Sequence, residues 1–255
     1  AASSVTLAWT SGGATMWNIA YGQAGSVSFL PFTTAAANPF TLTGLTPGTS
    51  YEFYVRDSCG SGDVSNWVGP VSFNTPCATV AAPYSEDFDL NFDEGNGWSN
   101  SGSTVDICWS RTPSTGTGTP WWNQPYHWGG GTGTTPSGNT GPSSDHTSGS
   151  GSYAYIEASG GNGTSADLFS PIIDLDTLSN PELVFWKHQY GNQMGTFSVA
   201  LSVNGGAYST IHTSSGDQGN SWIQVKLPLS AASLGDSIQL RFRGQKPSGG
   251  GSTRG

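Results

Sequence analysis

Short segments in which apolar residues alternate with small or polar ones recur along this chain, and they constrain its fold more than any other feature. The alternation is clearest at residues 4–9, 17–21 and 51–55. Side chains of a β-strand point alternately to opposite faces, so this period of two is typical of strands with one buried face. The 37 glycines, together with frequent Ser, Thr and Pro, supply the turns between segments. The sequence therefore predicts an all-β fold.

Length and charge limit the classes of function. A chain of 255 residues is long enough for two domains, each with its own core. Only 8 Lys and Arg accompany 17 Asp and Glu, and the formal net charge of -9 disfavours binding to a phosphate backbone. No run of the sequence approaches the roughly 20 apolar residues that span a bilayer. We therefore expect neither a nucleic-acid partner nor insertion into a membrane.

The first part of the chain contains a diagnostic turn. Residues 41–51 combine Gly and Pro-Gly turn positions with three expected core residues, Leu42, Leu45 and Tyr51. The order Leu-x-Pro-Gly-x-x-Tyr, preceded by Trp9 as the core tryptophan of an early strand, resembles fibronectin type III domains. The resemblance covers residues 1–76 and implies a β-sandwich whose first strand is missing from this chain.

The second part of the chain carries a different set of motifs. Residues 77–83 are expected to be a linker, because the Pro, Ala and Thr there do not build a core. The string Gly-Pro-Ser-Ser-Asp-His-Thr at 141–147 and the string Phe-Trp-Lys-His-Gln-Tyr-Gly-Asn-Gln-Met-Gly at 185–195 follow. Both resemble signatures of MAM domains. The resemblance implies a jelly-roll β-sandwich over residues 84–255 whose last strand is missing from this chain.

This order of modules resembles that of large secreted or cell-surface proteins of Bacteroidetes-type bacteria. It implies a secreted or cell-surface location within a longer protein. The partners we then expect are a glycan or another cell-surface partner, further domains of the same chain, and a secretion machinery.

The sequence offers no set of catalytic residues. It has no Ser nucleophile elbow, phosphate loop or His-Glu-x-x-His helix. His188 and Tyr190 lie in an apolar segment without a nucleophile or paired carboxylate, so we expect a satisfied core histidine. The chain is therefore predicted to be non-catalytic. The favoured hypothesis is an adhesion and binding segment that binds glycan. The alternative is a pair of structural spacers for a distant peptidase or glycanase domain.

A run rich in aromatic residues at 120–129 is the predicted glycan site. Aromatic faces stack on the C–H faces of sugars, and amide and imidazole groups bond their hydroxyls. Alternatively, the rings pack inward and hold a glycine-rich loop in place. The predicted ligand-binding residues are Trp121, Trp122, Asn123, Tyr126, His127 and Trp128.

Two aspartates are the predicted metal ligands. MAM relatives hold a cation near the positions of Asp89 and Asp145, and hard carboxylate oxygens suit calcium. Further candidate ligands are Glu86, Asp87 and Asp106. The alternative for Asp145 is that its carboxylate accepts backbone N–H groups and holds its own loop.

Three cysteines allow one bridge and one remaining thiol. Cys77 and Cys108 flank the first MAM-like strand and are the preferred pair. Cys59 and Cys77 flank a hairpin with an offset of roughly eight residues, about 25 Å, which exceeds disulfide reach. Cys59 is therefore expected to be buried or to pair across domains.

Three short motifs predict sites of glycosylation. Asn162 begins an Asn-x-Thr sequon. Two further strings resemble the O-glycosylation pattern of Bacteroidetes secreted proteins, and their acceptor residues are Thr177 and Ser237.

Overall fold

A computed structural model describes residues 2–60, 62–89, 105–112, 127–134, 139–157, 165–191 and 194–246. Every helix or strand element in these ranges is a β-strand, which confirms the predicted all-β class. The chain divides into two compact units, Ala1–Ala78 and Thr79–Gly255. No helix in the described part of the chain is long and apolar enough to cross a membrane.

The first unit is a small sandwich of two sheets. β1 pairs with β4 in one sheet, and the other sheet has the order β3-β2-β5-β6, with β7 also paired to β5. The strands are β1 (Ser4–Leu7), β2 (Trp17–Gln23), β3 (Thr33–Ala35), β4 (Phe40–Thr43), β5 (Ser50–Gly60), β6 (Asp63–Val64) and β7 (Val68–Asn74).

The core of the first unit lies between these sheets, and the turn at 41–51 contributes to it as predicted. Leu42, Leu45 and Tyr51 are buried, and the Tyr51 hydroxyl accepts a hydrogen bond from the backbone N–H of Thr46 at 3.0 Å. Gly44 has a positive φ of 76°, a conformation that glycine adopts without strain.

The buried tryptophan of this core is not the one predicted. Trp17, at the start of β2, is buried, whereas Trp9 is half-buried and packs against the core edge. The rings meet edge to face, 5.4 Å apart. Trp9 lies after the end of β1, where the side chain of Asn38 bonds its backbone, and this position at the rim explains its partial exposure.

The cysteines pair as preferred, but the third one differs from expectation. Cys77 and Cys108 are disulfide-bonded. Cys59 is free and exposed rather than buried. Cys59 is the next-to-last residue of β5 and lies beyond the buried positions of that strand. Distance along the strand from the core therefore determines its exposure.

The second unit is a larger sandwich of eleven described strands. They are β8 (Val80–Ala81), β9 (Ser110–Thr112), β10 (His127–Thr132), β11 (Ser152–Glu157), β12 (Ser165–Phe169), β13 (Ile173–Asp174), β14 (Glu182–Lys187), β15 (Thr196–Val203), β16 (Ser209–Ser215), β17 (Ile223–Pro228) and β18 (Ser237–Gln245).

One seven-stranded sheet dominates this unit. Its order is β16-β15-β18-β12-β9, and β13 joins it by pairing with β18 and, in parallel, with β8. The predicted linker, 77–83, thus contributes a strand to the second unit. The linker interpretation is wrong there because Val80 and Ala82 are apolar residues that pack into the core.

Two smaller ladders, β10 with β11 and β14 with β17, lie against the large sheet. Phe185 of β14 packs onto the large sheet near Val199 and Leu240, and Trp128 of β10 packs with Leu168. Asp167 and Arg243, opposite one another on β12 and β18, form a two-point ion pair with both contacts at 2.6 Å.

Candidate functional site

Of the predicted glycan residues, the structure describes His127 and Trp128. Trp121, Trp122, Asn123 and Tyr126 lie outside the described residues. His127 and Trp128 begin β10 and are buried. Trp128 packs in the core, and its indole N–H donates to the Ala166 carbonyl at 3.1 Å. The prediction that these two bind glycan is therefore wrong, because both faces of β10 are covered by the sandwich.

A different pair of aromatic strands presents an open surface. Burial alternates along β14: Leu183 and Phe185 pack inward, whereas Val184 and Trp186 are 44% and 40% exposed. Because alternate side chains of a strand share a face, Val184 and Trp186 point outward together. This places a large indole ring at the protein surface.

The signature loop at 141–151 covers part of this ring. The imidazole of His146 is exposed and stacks on Trp186, with ring centroids 3.6 Å apart and an interplanar angle of 16°. His146 stands on a loop whose shape is set by Asp145. The carboxylate of Asp145 accepts backbone N–H groups of Thr147, Ser148 and Gly151 at 2.7–2.9 Å.

Trp222, just before β17, completes the arrangement. Its indole N–H donates to the Ser144 carbonyl at 3.1 Å and so ties the strand pair to the signature loop. It meets His146 edge to face at 6.3 Å and His188 at 5.4 Å. We call the surface formed by His146, Trp186, His188, Asn220 and Trp222 the Trp186 face.

His188 is not the core histidine that we expected. It follows the end of β14, is half-buried, and its Nε2 lies 3.0 Å from Oδ1 of Asn220. Its Nδ1 is buried without a partner in the described part of the chain. His188 is two residues after Trp186, so it continues the outward positions of Val184 and Trp186. His188 therefore contributes to the outer face.

Burial makes this unit sensitive to acid. Burial lowers the pKa of His188, and the hydrogen bond with Asn220 raises it only in part. Burial, joined by the charge of Lys187, lowers the pKa of His212. As the pH falls, these histidines therefore take up protons in the unfolded chain before they do so in the folded one. Their contribution to stability is complete above about pH 6.5 and is lost as the pH falls below that value.

We expect the unfolding free energy of the second unit to fall between about pH 7 and pH 5, with a slope approaching one proton per histidine. Urea unfolding at a series of pH values measures this slope. The double variant His188→Gln, His212→Gln should flatten it. A slope unchanged by both substitutions would contradict the assignment.

The two residues predicted to hold calcium both accept hydrogen bonds from the signature loop and the strand after it. The backbone of Thr147, Ser148 and Gly151, joined by the Ser148 hydroxyl, occupies both oxygens of Asp145. Asp89 is exposed, and its Oδ1 accepts the backbone N–H of Ser152 at 2.6 Å. No group of three His, Cys, Asp or Glu able to hold a metal occurs in the described ranges.

The other candidate metal ligands are also engaged in local hydrogen bonds. Oε2 of Glu86 accepts from the Tyr84 hydroxyl, and Asp87 and Asp106 accept backbone N–H groups two residues onward. The geometry favours the loop-holding role for Asp145. Burial alone would raise the pKa of this carboxyl, but the hydrogen bonds from Ser148, Gly151 and Thr147 outweigh it and lower the pKa. Calcium stays an untested prediction.

The predicted glycosylation sites occupy varied positions. Thr177 is exposed, and its hydroxyl donates to the Ala82 carbonyl at 3.1 Å. Ser237 is half-buried at the first residue of β18. Asn162 lies outside the described residues. Attachment at Thr177 requires that hydroxyl to give up its hydrogen bond, and all three sites stay predictions.

Sequence reasoning missed the residues that meet on the Trp186 face. His146 and Trp186 are 40 positions apart, and Trp222 is distant from both. The sequence did contain one usable indication, since successive residues of a strand point to opposite faces. If Phe185 of β14 lies in the core, Trp186 must lie on the opposite face. The partners of Trp186 come from other segments, which parity in β14 does not predict.

The two units are β-sandwich modules in tandem, the first small and the second large. Residues 91–254 match the family MAM domain, meprin/A5/mu. This match covers more than half of the chain, so the chain belongs to the MAM domain family. Residues 1–73 match the fibronectin type III domain, which confirms the predicted order of modules.

Curated relatives match over a limited segment. Neuropilin-1a of Danio rerio is 40% identical over 92 residues, which is 34% of this chain and 10% of that protein. Neuropilin-1 of Xenopus laevis is 37% identical over 93 residues, 35% of this chain and 10% of that protein. The match therefore spans about a tenth of the length of these relatives.

Solved structures resemble the chain only loosely. The K1 cleaved adhesin domain of Lys-gingipain from Porphyromonas gingivalis W83 has 17% identity and a TM-score of 0.35, covering 57% of this chain and 94% of that chain. The CBM22-1-CBM22-2 tandem of Paenibacillus barcinonensis Xyn10C has 10% identity and a TM-score of 0.35. The match covers 96% of this chain and 70% of that chain. These similarities do not bear on function.

Proposed function

We propose that this chain is a non-catalytic binding segment of a larger secreted or cell-surface protein, and that its MAM unit binds glycan through the Trp186 face. The observation that carries the proposal is the outward indole of Trp186, stacked on His146 at 3.6 Å. The fibronectin type III unit acts as a neighbouring module of the same protein, and further domains are its expected partners.

The chemistry of the Trp186 face suits a neutral sugar ring. Exposed aromatic rings offer flat apolar area to the C–H face of a pyranose. Around them lie polar groups able to bond hydroxyls: Gln224 is exposed and lies opposite Trp186 in the β14–β17 ladder, and Asn220 lies beside His188. Trp186, Trp222 and His146 also line a cavity of about 380 Å³ that extends between the described residues of the two layers.

The outward rings are held in place before any ligand arrives. Trp222 is fixed by its hydrogen bond to Ser144, and His146 stands on the loop that Asp145 shapes. A preorganised aromatic surface loses little conformational entropy on binding. This rigidity distinguishes the face from exposed apolar residues scattered singly, which are ordinary.

A glycan array screened with the whole chain tests this proposal. We expect Trp186→Ala to weaken binding at least about tenfold, because stacking on one aromatic ring contributes on the order of 1.4 kcal/mol. Val184→Ala is the matched control. It removes an apolar side chain of similar exposure from the same face of the same strand, and it should leave binding unchanged.

Two results would count against this site. Equal loss in the Trp186→Ala and Val184→Ala variants would indicate a general effect on the fold. Loss only in a Trp121→Ala, Trp122→Ala variant would transfer the glycan site to the loop predicted first. If no glycan binds the parent chain, the spacer hypothesis, with catalysis in a distant peptidase or glycanase domain, replaces the binding one.

The proposed location is outside the cell. A disulfide between Cys77 and Cys108 is typical of proteins that mature in an oxidising compartment. The proposal extends to a bacterial parent protein of the Bacteroidetes type, where a secretion machinery handles the whole chain. Mass spectrometry of the natural protein tests this setting, since Thr177 and Ser237 are its expected O-glycosylation sites.

A further inference from the structure

The first unit carries an open pocket of about 680 Å³ on the outer side of its larger sheet. Its volume falls within the range of small-ligand sites, about 300–1,000 Å³. Strands β2, β3 and β5 contribute to its lining, together with the segment 13–16 that precedes β2. The residues used in the argument below are Met16, Asn18, Phe32, Thr34, Arg56 and Ser58.

Arg56 is the charged residue of this pocket and the only Lys or Arg in residues 1–78. Its guanidinium lies over the ring of Trp67 at 4.5 Å and over the ring of Phe32 at 5.3 Å. These rings hold the cation in place through cation–π attraction. No hydrogen-bond acceptor or carboxylate in the described part of the chain pairs with it, and its Nε is buried without a partner.

An arginine in this state has unused binding capacity. The guanidinium stays charged at all ordinary pH values and offers five N–H donors in a planar fork. A buried donor without a partner is unfavourable, so a ligand that satisfies it gains affinity. The fork fits a carboxylate with two parallel hydrogen bonds.

Polar side chains beside Arg56 extend the site. Asn18 is 4% exposed, lines the pocket, and its side-chain amide makes no hydrogen bond within the described residues. The hydroxyls of Thr34 and Ser58 line the same pocket and likewise have no partner in those ranges. Met16 and Phe32 provide apolar surface. The lining therefore offers an anion partner, hydroxyl partners and an apolar wall together.

We propose that this pocket binds a uronic acid residue of an acidic glycan, with the carboxylate on Arg56 and Asn18 and the C–H face of the ring on Phe32 and Met16. One cation suits a singly charged carboxylate. Residues 1–78 also contain Glu52, Asp57 and Asp63, so the unit is negative overall and repels highly charged ligands. The site is independent of the Trp186 face, which needs no acidic sugar.

The test uses tetragalacturonate as the probe and maltotetraose as its neutral counterpart. The chain has five arginines, so the Nε–Hε signals in an NMR spectrum are few, and Arg56→Lys identifies the one from Arg56. We expect tetragalacturonate to shift the Arg56 signal saturably, with a Kd of about 0.1–1 mM. Maltotetraose should leave this signal in place.

Two variants connect binding to the pocket. Arg56→Gln removes the cation and should weaken binding at least about tenfold, followed in this variant by the backbone amide signals of Asn18 and Ser58 because the Arg56 signal is gone. Because Arg56 also packs on two rings, a second variant leaves that packing intact: Thr34→Glu, at an exposed position, places a competing carboxylate in the pocket and should weaken binding similarly. The amide spectrum of each variant shows whether the first unit stays folded.

Several outcomes would overturn the proposal. They are an equal shift of the Arg56 signal by maltotetraose, an unchanged response of that signal to tetragalacturonate in Thr34→Glu, and no shift of it at about 10 mM tetragalacturonate. Tighter binding of a tetraglutamate peptide would replace the glycan with an acidic protein segment. None of these outcomes affects the Trp186 face, whose test uses substitutions in the other unit.

Discussion

Trp128→Ala should destabilise the second unit by about 3–5 kcal/mol, the range for removing a large buried aromatic side chain. Trp128 is 7% exposed and packs with Trp109, Ala166 and Leu168. The substitution leaves a cavity between β10 and the large sheet, and it leaves the Ala166 carbonyl without the indole donor. Urea unfolding followed by amide NMR signals of this unit measures the change, because two units need not unfold together.

Trp186→Ala is the matched control for this experiment. It removes the same side chain from an outward position of a strand in the same unit, and we expect a loss of only about 1 kcal/mol. The two tryptophans thus separate stability from binding: one variant unfolds easily, and the other stays folded but loses glycan. Equal destabilisation by both would show that the outward ring of Trp186 is also part of the core.

Asp145→Ala should cost about 2–4 kcal/mol, because it removes the acceptor of three charge-assisted backbone hydrogen bonds. The same hydrogen bonds lower the pKa of Asp145 despite the opposing effect of burial. Its contribution is therefore complete above the unfolded pKa of about 3.9 and is lost as the pH falls through the lower folded value. Urea unfolding of the parent chain and of Asp145→Ala from about pH 6 to pH 2 tests this. The difference between their unfolding free energies should shrink as the pH falls.

Measuring the destabilisation of Asp145→Ala with and without calcium distinguishes a loop-holding carboxylate from a metal ligand. If the carboxylate holds the loop by hydrogen bonds, the loss in Asp145→Ala is the same in EDTA and in excess calcium. A loss that appears only with calcium would make Asp145 a metal ligand. Ser148→Ala is a useful companion variant, since it removes one hydroxyl contact at 3.2 Å from the same carboxylate and should cost about 1 kcal/mol at most.

Much of the architecture was predictable from local sequence. Alternation at 17–21 and 51–55 corresponds to β2 and β5, and the Leu-x-Pro-Gly-x-x-Tyr turn contributes its three expected core residues. The motif strings predicted both families and their order. These features depend on residues close together in the chain, where side-chain parity and turn geometry act directly.

The candidate sites depended on contacts between distant segments. Parity assigns Trp186 to one face of β14, but it does not say that His146 stacks on that face. Likewise, the composition of 120–129 does not show that β10 is covered on both sides, so Trp128 looked like a surface residue. Which ring is buried follows from what packs over it.

The same division holds for charge. The scarcity of Lys and Arg could be counted from the sequence, and with it came the expectation that nucleic acid is not a partner. Two facts appear only once the strands assemble. Arg56 lies over two aromatic rings and has no acceptor among the described residues, and both carboxylate oxygens of Asp145 accept hydrogen bonds from its own loop. Alternation and turns are properties of neighbouring residues, whereas burial and hydrogen-bond partners arise from segments that meet only in the folded chain.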